Sequence, residues 1–518
     1  MTVDHSLILP ILLPFVVGIA LLSIDGDRHL AWQRRLSLLA TAAAIPLAIL
    51  LLVTTVDSGY RTYVLGHWPA PFGIVLVLDR LSALMVLLAA VVALPALWSA
   101  IGADTDRQGR YFHPLFQFQL MGLNGAFLTG DLFNLFVFFE ILLIASYSLL
   151  LHGGGRERIR AGLHYVILNL TGSALFLIAI GVLYGLTGTL NLAELAVRVA
   201  HASAADAGLI RAGALLLLVV FGLKAALLPL HAWLPAAYAN TGAPIAALFA
   251  LLTKVGVYSI IRVFTLAFGS TAGPAADIAA PWLLPLGLAT LLVGAIGLLA
   301  SWNLRRLIAY SVIVSTGMLL TAIGLSTAAG LSAALVYLIH TTLITAGMFL
   351  LADLIAEQRG HADSQPAPPV AQPALLGGLF FVGVVAMAGL PPLSGFLGKV
   401  LLLQAAQDSP ALPWVWGIVL SSGLLIIVAL SRMGSQLFWR TLDSAALPVH
   451  ATVRRLFPAV ALLAAGPLLV ILGQPLIGYA SATAQQLRQP AAYIEASLAN
   501  RHLAPAPAHA APAPGTTP

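Results

Sequence analysis

Runs of 18 or more mostly apolar residues recur from one end of this chain to the other. Each run is long enough to cross the ~30 Å hydrocarbon layer of a bilayer as a helix. The runs lack the apolar–polar alternation of barrel strands, so helices are the form that satisfies their backbone hydrogen bonds in lipid. Charged residues make up only 8% of the chain, against about a quarter of a soluble domain, which excludes a soluble globular protein.

The sequence therefore predicts an all-α polytopic membrane protein with about fourteen transmembrane helices. The predicted spans are 6–23, 36–55, 75–98, 112–129, 132–151, 161–185, 210–239, 243–266, 281–300, 307–325, 330–354, 374–406, 412–431 and 456–479. Residues 1–480 are expected to form one transmembrane domain. Residues 481–518 are expected to form a C-terminal surface segment that ends in an Ala/Pro-rich tail.

The arginines give an independent test of that topology. With the N-terminus outside, 15 of the 22 arginines fall in loops on the cytoplasmic side. Positively charged loops mark the inside, so both termini are predicted outside, on the periplasmic side of a bacterial inner membrane. The net charge of +6 then follows from short membrane-flanking loops, and no nucleic-acid partner is expected. The chain has no cysteine, which excludes thiolate metal sites and iron–sulfur clusters.

All three lysines lie inside apolar runs: Lys224 in FGLKAALLPL, Lys254 in ALLTKVGVYS and Lys399 in SGFLGKVLLL. A buried lysine can lose its proton near neutral pH, whereas an arginine cannot. One carboxylate, Glu140 in LFVFFEILLI, lies equally deep in a run. Ionisable groups within membrane spans are costly, so these residues predict a proton path.

Two spans are interrupted beside a lysine. In the seventh, two prolines and His231 follow Lys224 within 223–235, and in the twelfth the stretch GLPPLSGFLGK (389–399) ends in Lys399. Proline breaks the helical hydrogen-bond ladder, which membranes tolerate where protein or water satisfies the freed groups. A single proline can be a harmless kink. Paired multi-proline breaks instead indicate inverted repeats around an ion site.

Four stretches together resemble the antiporter-like membrane subunits shared by respiratory complex I and Mrp/Pha-type monovalent cation/proton antiporters. They are TGDLFNLFVFFEILLIASYSLL (129–150), GLKAALLPLHAWLPAAYANTGAPIAALFALLTKVGVYSIIR (222–262), RRLIAYSVIVSTGML (305–319) and GLPPLSGFLGK (389–399). Within that family, GDLFNLFVFFE and SGFLGK are most similar to the D subunit of the Mrp/Pha antiporters. The resemblance implies fourteen helices with two inverted five-helix repeats, repeat A at about 112–266 and repeat B at about 281–431, each with a broken helix.

The resemblance also implies a proton relay through residues that match the family's titratable positions. These residues are Glu140, Lys224, His231, Lys254, His340 and Lys399. Two positions depart from the family pattern. Asn303 stands where many relatives have aspartate, and Thr345 lies where some members place a lysine. His340 is then the main titratable link between the central site and Lys399.

The chemistry expected of Glu140 and Lys224 depends on their separation. In contact, each stabilises the charged form of the other; apart, the lysine can release its proton. A gate that moves the pair between these arrangements is one interpretation. A static ion pair that holds helices together is the other.

The preferred hypothesis is the proton-translocating subunit of a multisubunit Na⁺(K⁺)/H⁺ antiporter, a secondary transporter subunit and not an enzyme. Its expected partners are the other antiporter subunits, protons, Na⁺ or K⁺, and the lipid bilayer. No cofactor and no metal site is predicted, because no carboxylate cluster or carbonyl-rich filter is evident. The alternatives are a proton-pumping subunit of a complex I-like or hydrogenase-type redox complex, and a scaffold whose ionisable residues only lock helices. The sequence leaves open which cation moves and through which subunit.

Overall fold

The computed structural model describes residues 5–68 and 70–499. The first helices are α1 (Leu9–Leu22), α2 (Gly26–Ser58), α3 (Arg80–Gly102), α4 (Phe112–Leu128), α5 (Leu132–Leu151), α6 (Arg156–Thr187) and α7 (Leu192–Ala200). Then come α8 (Ala207–Ala225), α9 (Trp233–Asn240), α10 (Ala243–Phe249), α11 (Leu252–Leu266), α12 (Ala280–Leu299), α13 (Leu304–Gly324) and α14 (Ala328–Arg359). The last are α15 (Pro373–Ala388), α16 (Ser394–Ala405), α17 (Leu412–Phe438), α18 (Val453–Leu463), α19 (Ala465–Ile471), α20 (Gly473–Leu487) and α21 (Pro490–Leu498).

The fold is that of a helical, polytopic membrane protein. Among the described residues, eleven helical stretches are long and apolar enough to cross a membrane: α2, α3, α5, α6, α8, α10–α11, α12, α13, α14, α17 and α18–α19. Helices α1, α15 and α16 are apolar but shorter. Helix α14 is buried along its membrane-length segment and forms the centre of the bundle, where α10, α13, α16 and α18 pack around it.

A β-hairpin is the exception to the helical architecture. Strand β1 (Arg61–Val64) pairs antiparallel with β2 (Val75–Leu78), with Arg61 opposite Leu78 and Val64 opposite Val75. The prediction that a helix begins at residue 75 is therefore wrong. A short aliphatic run such as VLVL has no period that separates strand from helix, and its pairing with β1 decides the outcome. Helix α3 begins only at Arg80, where the carboxylate of Asp79 accepts a hydrogen bond from Ser82 N.

The loops lie on two faces of the bundle. One, here called the arginine-rich face, consists of the connections 23–25, 103–111, 152–155, 241–242, 300–303, 360–372 and 439–452. The β-hairpin and the connections 129–131, 188–191, 201–206, 267–279, 325–327 and 406–411 form the opposite face. Ion pairs join helix ends to loops of the same face: Arg34 Nε of α2 lies 2.6 Å from Asp106 Oδ2 on the first, and Arg262 Nη1 of α11 lies 2.6 Å from Asp79 Oδ2 on the second.

Both ends of the described chain lie on the opposite face. His5 contacts the Tyr63 hydroxyl of β1 at 3.2 Å, and the Tyr493 ring of α21 packs 5.7 Å from the Tyr60 ring. The domain boundary predicted at residue 480 falls within α20. Within the segment predicted to lie at the surface, Tyr493 packs inward and is only 3% exposed, whereas most of its neighbours on α21 are exposed or half-buried. The Ala/Pro-rich tail lies outside the described residues.

Both predicted helix breaks are present. Helix α8 ends at Ala225, Ala226 adopts a left-handed conformation (φ 60°), and α9 begins at Trp233. Helix α15 ends at Ala388, Gly389 is left-handed (φ 69°), and α16 begins at Ser394. A further interruption, between α10 and α11, was not predicted from the sequence. It lies just before Lys254.

Candidate functional site

The predicted relay residues lie on five helices and in one break. Lys224, Lys254 and His340, on α8, α11 and α14, are buried, with 4%, 2% and 2% of their surfaces exposed. Glu140 on α5, Lys399 on α16 and His231 between α8 and α9 are half-buried. Together they extend from the α5–α6 side of the bundle through α14 to the α16–α17 side.

Neutral side chains satisfy the backbone groups that the first break frees. Thr316 Oγ1 donates to Ala225 O at 2.9 Å, and Trp233 Nε1 donates to Leu223 O at 3.1 Å. Leu228 N donates to Thr290 Oγ1 at 3.0 Å. Because a backbone group left unpaired at membrane depth is costly, these partners make the break possible. The ammonium group of Lys224, the residue before Ala225, therefore takes no part in satisfying the backbone of the break.

Helix α6 stands between Glu140 and Lys224. The Lys224 Nζ donates to Asn169 Oδ1 at 3.2 Å and to Asn169 O at 3.4 Å, and it lies 5.8 Å from the centre of the Phe139 ring. One turn further along α6, the Ser173 hydroxyl donates to Glu140 Oε1. Glu140 forms no ion pair within 4.0 Å with a described residue. The structure therefore holds the separated arrangement, bridged by Ser173 and Asn169.

The Ser173 hydroxyl has two acceptors and one proton. Besides Glu140 Oε1, it faces Asn169 O at 3.1 Å. A hydroxyl rotates to suit its surroundings, so this proton can point toward the carboxylate or toward the helix carbonyl. The carbonyl it reaches is also within hydrogen-bond distance of the Lys224 Nζ.

Helix α13 connects Lys224 to Lys254. The Lys254 Nζ donates to Ser315 Oγ at 2.7 Å, and the next residue, Thr316, holds the end of α8. Gly256, half a turn from Lys254, packs so closely on this end that a Cβ would lie 2.5 Å from Ala225 N. The second lysine is thus fixed against the first break by hydroxyl groups and close helix packing.

A small cavity continues from α13 to His340. It measures about 20 Å³, enough for one water molecule, and its polar lining includes Ser311, Thr341, Thr345 and His340. Ser311 lies one turn from the partner of Lys254 on α13. The His340 Nδ1 lies 2.8 Å from the hydroxyl of Ser394, the first residue of α16. Thr345, the departure from the family pattern, contributes a hydroxyl to this cavity rather than a charge.

Lys399 bonds across the second break. Its Nζ donates to the carbonyl of Ala388, the last residue of α15. A Cβ on Gly389 would lie 2.9 Å from that nitrogen, and a Cβ on Gly423 of α17 would lie 3.4 Å from it. Gly395 fits between Ala386 O and the His340 ring, where a Cβ would meet them at 2.0 and 2.9 Å. The glycines of this motif therefore provide the close approach that Lys399 and His340 need.

His231 is the predicted relay residue with the least support from contacts. It lies in the first break, and its Nδ1 is buried without a hydrogen-bond partner among the described residues. His231 lies at the α8–α9 junction, and no hydrogen bond joins it to another of the predicted relay residues.

An ionic cluster on the arginine-rich face was not predicted. Asp106 accepts hydrogen bonds from Arg34 Nε at 2.6 Å and lies 3.0 Å from His113 Nε2. Burial alone would raise the pKa of Asp106, but the hydrogen bonds to His113 and Arg34 outweigh it and hold the pKa below its usual range. This carboxylate stays ionised near neutral pH, so the cluster acts as an anchor and not as a proton carrier.

The residues that sequence reasoning missed are neutral or far apart in the chain. Asn169 and Ser173 are spaced by four within the apolar run YVILNLTGSALF, so they share one face of α6. That spacing was the available signal. The Asp79–Arg262 pair, with two N···O contacts of 2.6 and 2.7 Å, joins residues 183 positions apart, and no local pattern indicates it.

Comparison with known proteins shows the family of the chain. The family described as "NADH:quinone oxidoreductase/Mrp antiporter, TM" matches residues 129–427. The chain is 41% identical to the D subunit of a probable K⁺/H⁺ antiporter of Rhizobium meliloti, over 96% of this chain and 98% of that protein. It is 38% identical to the D subunit of the Na⁺/H⁺ antiporter of Bacillus subtilis, over 96% of this chain and 99% of that protein.

Solved structures give the same result. A chain of the Mrp complex from a Dietzia species superposes with a TM-score of 0.83 at 26% identity, covering 96% of this chain and 100% of that one. A chain of respiratory complex I from Thermus thermophilus superposes with a TM-score of 0.77 at 27% identity, covering 93% of this chain and 99% of that one.

Proposed function

This chain belongs to the NADH:quinone oxidoreductase/Mrp antiporter transmembrane family, and on that premise we propose that it is the proton-translocating D subunit of a multisubunit Na⁺/H⁺ or K⁺/H⁺ antiporter. The observation that carries the proposal is the buried series of lysines and hydroxyl groups that crosses the fold from Glu140 to Lys399. In this function the proton gradient drives a monovalent cation out of the cell.

In this proposal fourteen helical units cross the bacterial inner membrane. They are the eleven stretches of sufficient length, together with α1, α4 and the broken unit α15–α16. Repeat A covers about 112–266 and repeat B about 281–431, so α8–α9 and α15–α16 occupy corresponding positions. The arginine-rich face lies in the cytoplasm and both termini lie outside.

Glu140, Ser173, Asn169 and Lys224 form the gate. When Glu140 is ionised, its negative charge attracts the Ser173 proton. When Glu140 gains a proton, that hydroxyl turns toward Asn169 O and competes with the Lys224 ammonium for the same acceptor. An ammonium that loses a hydrogen-bond acceptor in a buried site releases its proton more readily. The state of Glu140 thus reaches Lys224 through α6, without direct contact between the two side chains.

Lys254, His340 and Lys399 hold the proton in turn beyond the gate. Ser315 binds the Lys254 ammonium, and one water in the cavity beside Ser311 and Thr341 bridges toward His340. Ser394 then links His340 to the helix that carries Lys399. Histidine suits the middle position because its usual pKa is near neutrality.

A redox-driven proton pump is the second candidate, because complex I contains a chain of the same fold. The sequence relatives favour the antiporter, since antiporter D subunits are 36–41% identical over 96% of this chain. The chain also superposes on the Mrp complex chain with a TM-score of 0.83, against 0.77 for the complex I chain. The pump would also need redox partners that this cysteine-free chain does not supply.

The test is cation-induced collapse of ΔpH in inverted vesicles from an antiporter-deficient host that expresses the complete operon. Wild type is compared with Glu140→Ala, after a native gel confirms that both complexes assemble. We expect Na⁺ or K⁺ to collapse ΔpH in wild type and not in the variant. A wild-type complex that assembles but gives no cation response would refute the antiporter proposal and favour the redox pump.

A further inference from the structure

A large cavity opens on the arginine-rich face, away from the relay. It measures about 660 Å³ and lies between the N-terminal parts of α6 and α13 and the end of α9. Its lining includes Glu157, Arg160, His164, Ile167, Ala236 and Arg306. The cavity therefore combines a polar rim with an apolar wall.

The rim carries positive charge that no described residue pairs with. Arg160 and Arg306 are exposed, and neither guanidinium has a hydrogen bond or ion pair with another described residue; Arg306 only faces the Tyr310 ring at 6.0 Å. Other arginines on this face do have polar partners: Arg34 with Asp106, Arg158 with Asn240 O, Arg305 with Asp353 and Arg455 with Glu357. His164 adds a third basic group, and Glu157 is the one acidic residue of the lining.

The wall below the rim suits a hydrocarbon chain. Leu163, Ile167 and Leu170 repeat at intervals of four and three on α6, and 60%, 54% and 51% of their surfaces are exposed. This spacing places them in one stripe that leads from the rim into the membrane. Opposite the stripe, the small side chains Ala236 and Ala239 leave the groove open.

A second cavity adjoins the first at its basic edge. It measures about 420 Å³, shares Asn303 and Arg306 with the larger cavity, and has one carboxylate, Asp363, in its lining. Asn303 caps α13 by accepting hydrogen bonds from Arg305 N at 3.0 Å and Arg306 N at 3.3 Å, and as an amide it adds no negative charge between the two spaces. Arg306 can thus be reached from both sides.

We propose that this groove is a binding site for an anionic phospholipid, with its phosphate on Arg160 and Arg306 and an acyl chain along Leu163 and Ile167. Basic pockets between membrane helices on the cytoplasmic side bind such headgroups, and guanidinium groups match phosphate oxygens in a bidentate manner. The adjoining cavity at Arg306 gives room for a second phosphate. The site therefore favours cardiolipin over lipids with one phosphate.

The test uses the complete complex, purified, delipidated and titrated separately with cardiolipin, phosphatidylglycerol and phosphatidylcholine. Binding is followed by native mass spectrometry. We expect cardiolipin to bind most tightly, and the Arg160→Ala/Arg306→Ala variant to bind it roughly 30-fold more weakly, since each basic group near the phosphate adds about a fivefold effect. Arg156→Ala/Arg440→Ala is the matched control, because it removes two exposed arginines from the same face but outside this cavity.

A second variant distinguishes loss of the lipid site from misfolding of the complex. Ala236→Leu/Ala239→Leu fills the groove and keeps both arginines, so it too should lose cardiolipin while the complex stays assembled. Equal lipid binding by wild type and both test variants would overturn the proposal. So would full competition by inorganic phosphate, which would indicate a free-anion site, or a cross-link from Leu163→Cys to a partner subunit in place of lipid.

Discussion

The two broken helices use their lysines in opposite ways. In α8–α9 the lysine precedes the break, and the neutral groups of Thr316, Trp233 and Thr290 satisfy the freed backbone. In α15–α16 the lysine follows the break, and Lys399 itself binds the carbonyl of Ala388. One interruption is held by its surroundings, and the other is held by the residue proposed to carry the proton.

Both lysines are proposed to carry a proton, but only Lys399 also closes a helix break. Lys224 is in the last turn of α8, and the Lys399 Nζ caps the last carbonyl of α15, so each ammonium lies at the negative end of a half-helix. Lys224 can release its proton without leaving a break unsatisfied. A change at Lys399 also changes the bond that closes its break, so proton release there is coupled to local structure.

The partners of the two lysines differ as well. Lys224 communicates with a carboxylate, Glu140, through Asn169 and Ser173. Lys399 has no ion-pair partner among the described residues, and its titratable neighbour on the path is His340. In the proposed relay, the first half therefore joins a lysine to a carboxylate, and the second half joins a lysine to a histidine.

Alanine replacement of each lysine is expected to show the difference between the two helix breaks most strongly. Both Lys224→Ala and Lys399→Ala should lose antiport. Lys399→Ala should also destabilise the complex, by about 1–3 kcal/mol, because it leaves the Ala388 carbonyl, and with it the second break, unpaired. Thermal unfolding of the purified complexes and ΔpH collapse in vesicles measure the two effects. A Lys399→Ala complex as stable as wild type would contradict the structural role assigned to Lys399.

The Ser173 hydroxyl offers a sharper test of the gate. Ser173→Ala removes a hydrogen bond to a charged group, an interaction of about 1.5–3 kcal/mol, so antiport should slow by roughly 10- to 100-fold. Thr171→Ala is the matched control, since among the described residues the Thr171 hydroxyl bonds only to Ile167 O, on the exposed side of the same helix. Rates come from ΔpH collapse across a range of pH. An unchanged rate and pH profile for Ser173→Ala would remove Ser173 from the gate.

The lysines and both breaks could be predicted from the sequence, because each is a local signal. A lysine in an apolar run and a cluster of prolines and glycines need no knowledge of the fold. The α6 bridge could not be predicted with the same security. Asn169 and Ser173 are neutral residues of a kind common in membrane helices, and their role depends on the packing of α5, α6 and α8.

The hairpin and the Asp79–Arg262 pair show the same limit. The run VLVL fits a strand or a helix equally well until β1 pairs with it. Asp79 and Asp131 cap α3 and α5, yet only the fold shows that Asp79 also binds Arg262. Local chemistry was therefore predictable where it depended on neighbours in the chain, and not where it depended on distant helices.

The glycines beside the two breaks should tolerate a side chain equally poorly. A Cβ on Gly256 would lie 2.5 Å from Ala225 N, and one on Gly395 would lie 2.0 Å from Ala386 O. We expect Gly256→Ala and Gly395→Ala each to cost about 1–3 kcal/mol, because the backbones must move apart. Gly181→Ala and Gly417→Ala, with nothing within 4 Å of the new Cβ, are the controls. The measurement is thermal unfolding of the complexes. A test glycine variant that is as stable as its control would refute the close packing.

The smallest effect on transport is expected at Asp106. Its pKa is held below the usual range, so the stability it contributes is present above about pH 4 and lost only as pH falls through the lowered pKa. In a His113→Gln background, which removes the histidine partner of Asp106, Asp106→Asn should therefore destabilise the complex by the same amount, about 1.5 kcal/mol, at every pH between about 6 and 9. Antiport rates should keep the wild-type pH profile. A destabilisation that varies across this window would mean that Asp106 exchanges protons there.

The central claim is that Lys224 must release a proton, and Lys224→Arg tests it most directly. Arginine keeps the positive charge and the hydrogen bonds toward Asn169, but it does not give up its proton in a protein. The measurement is cation-induced ΔpH collapse in vesicles that contain the assembled variant complex. The account predicts no collapse, and antiport at the wild-type rate would contradict it.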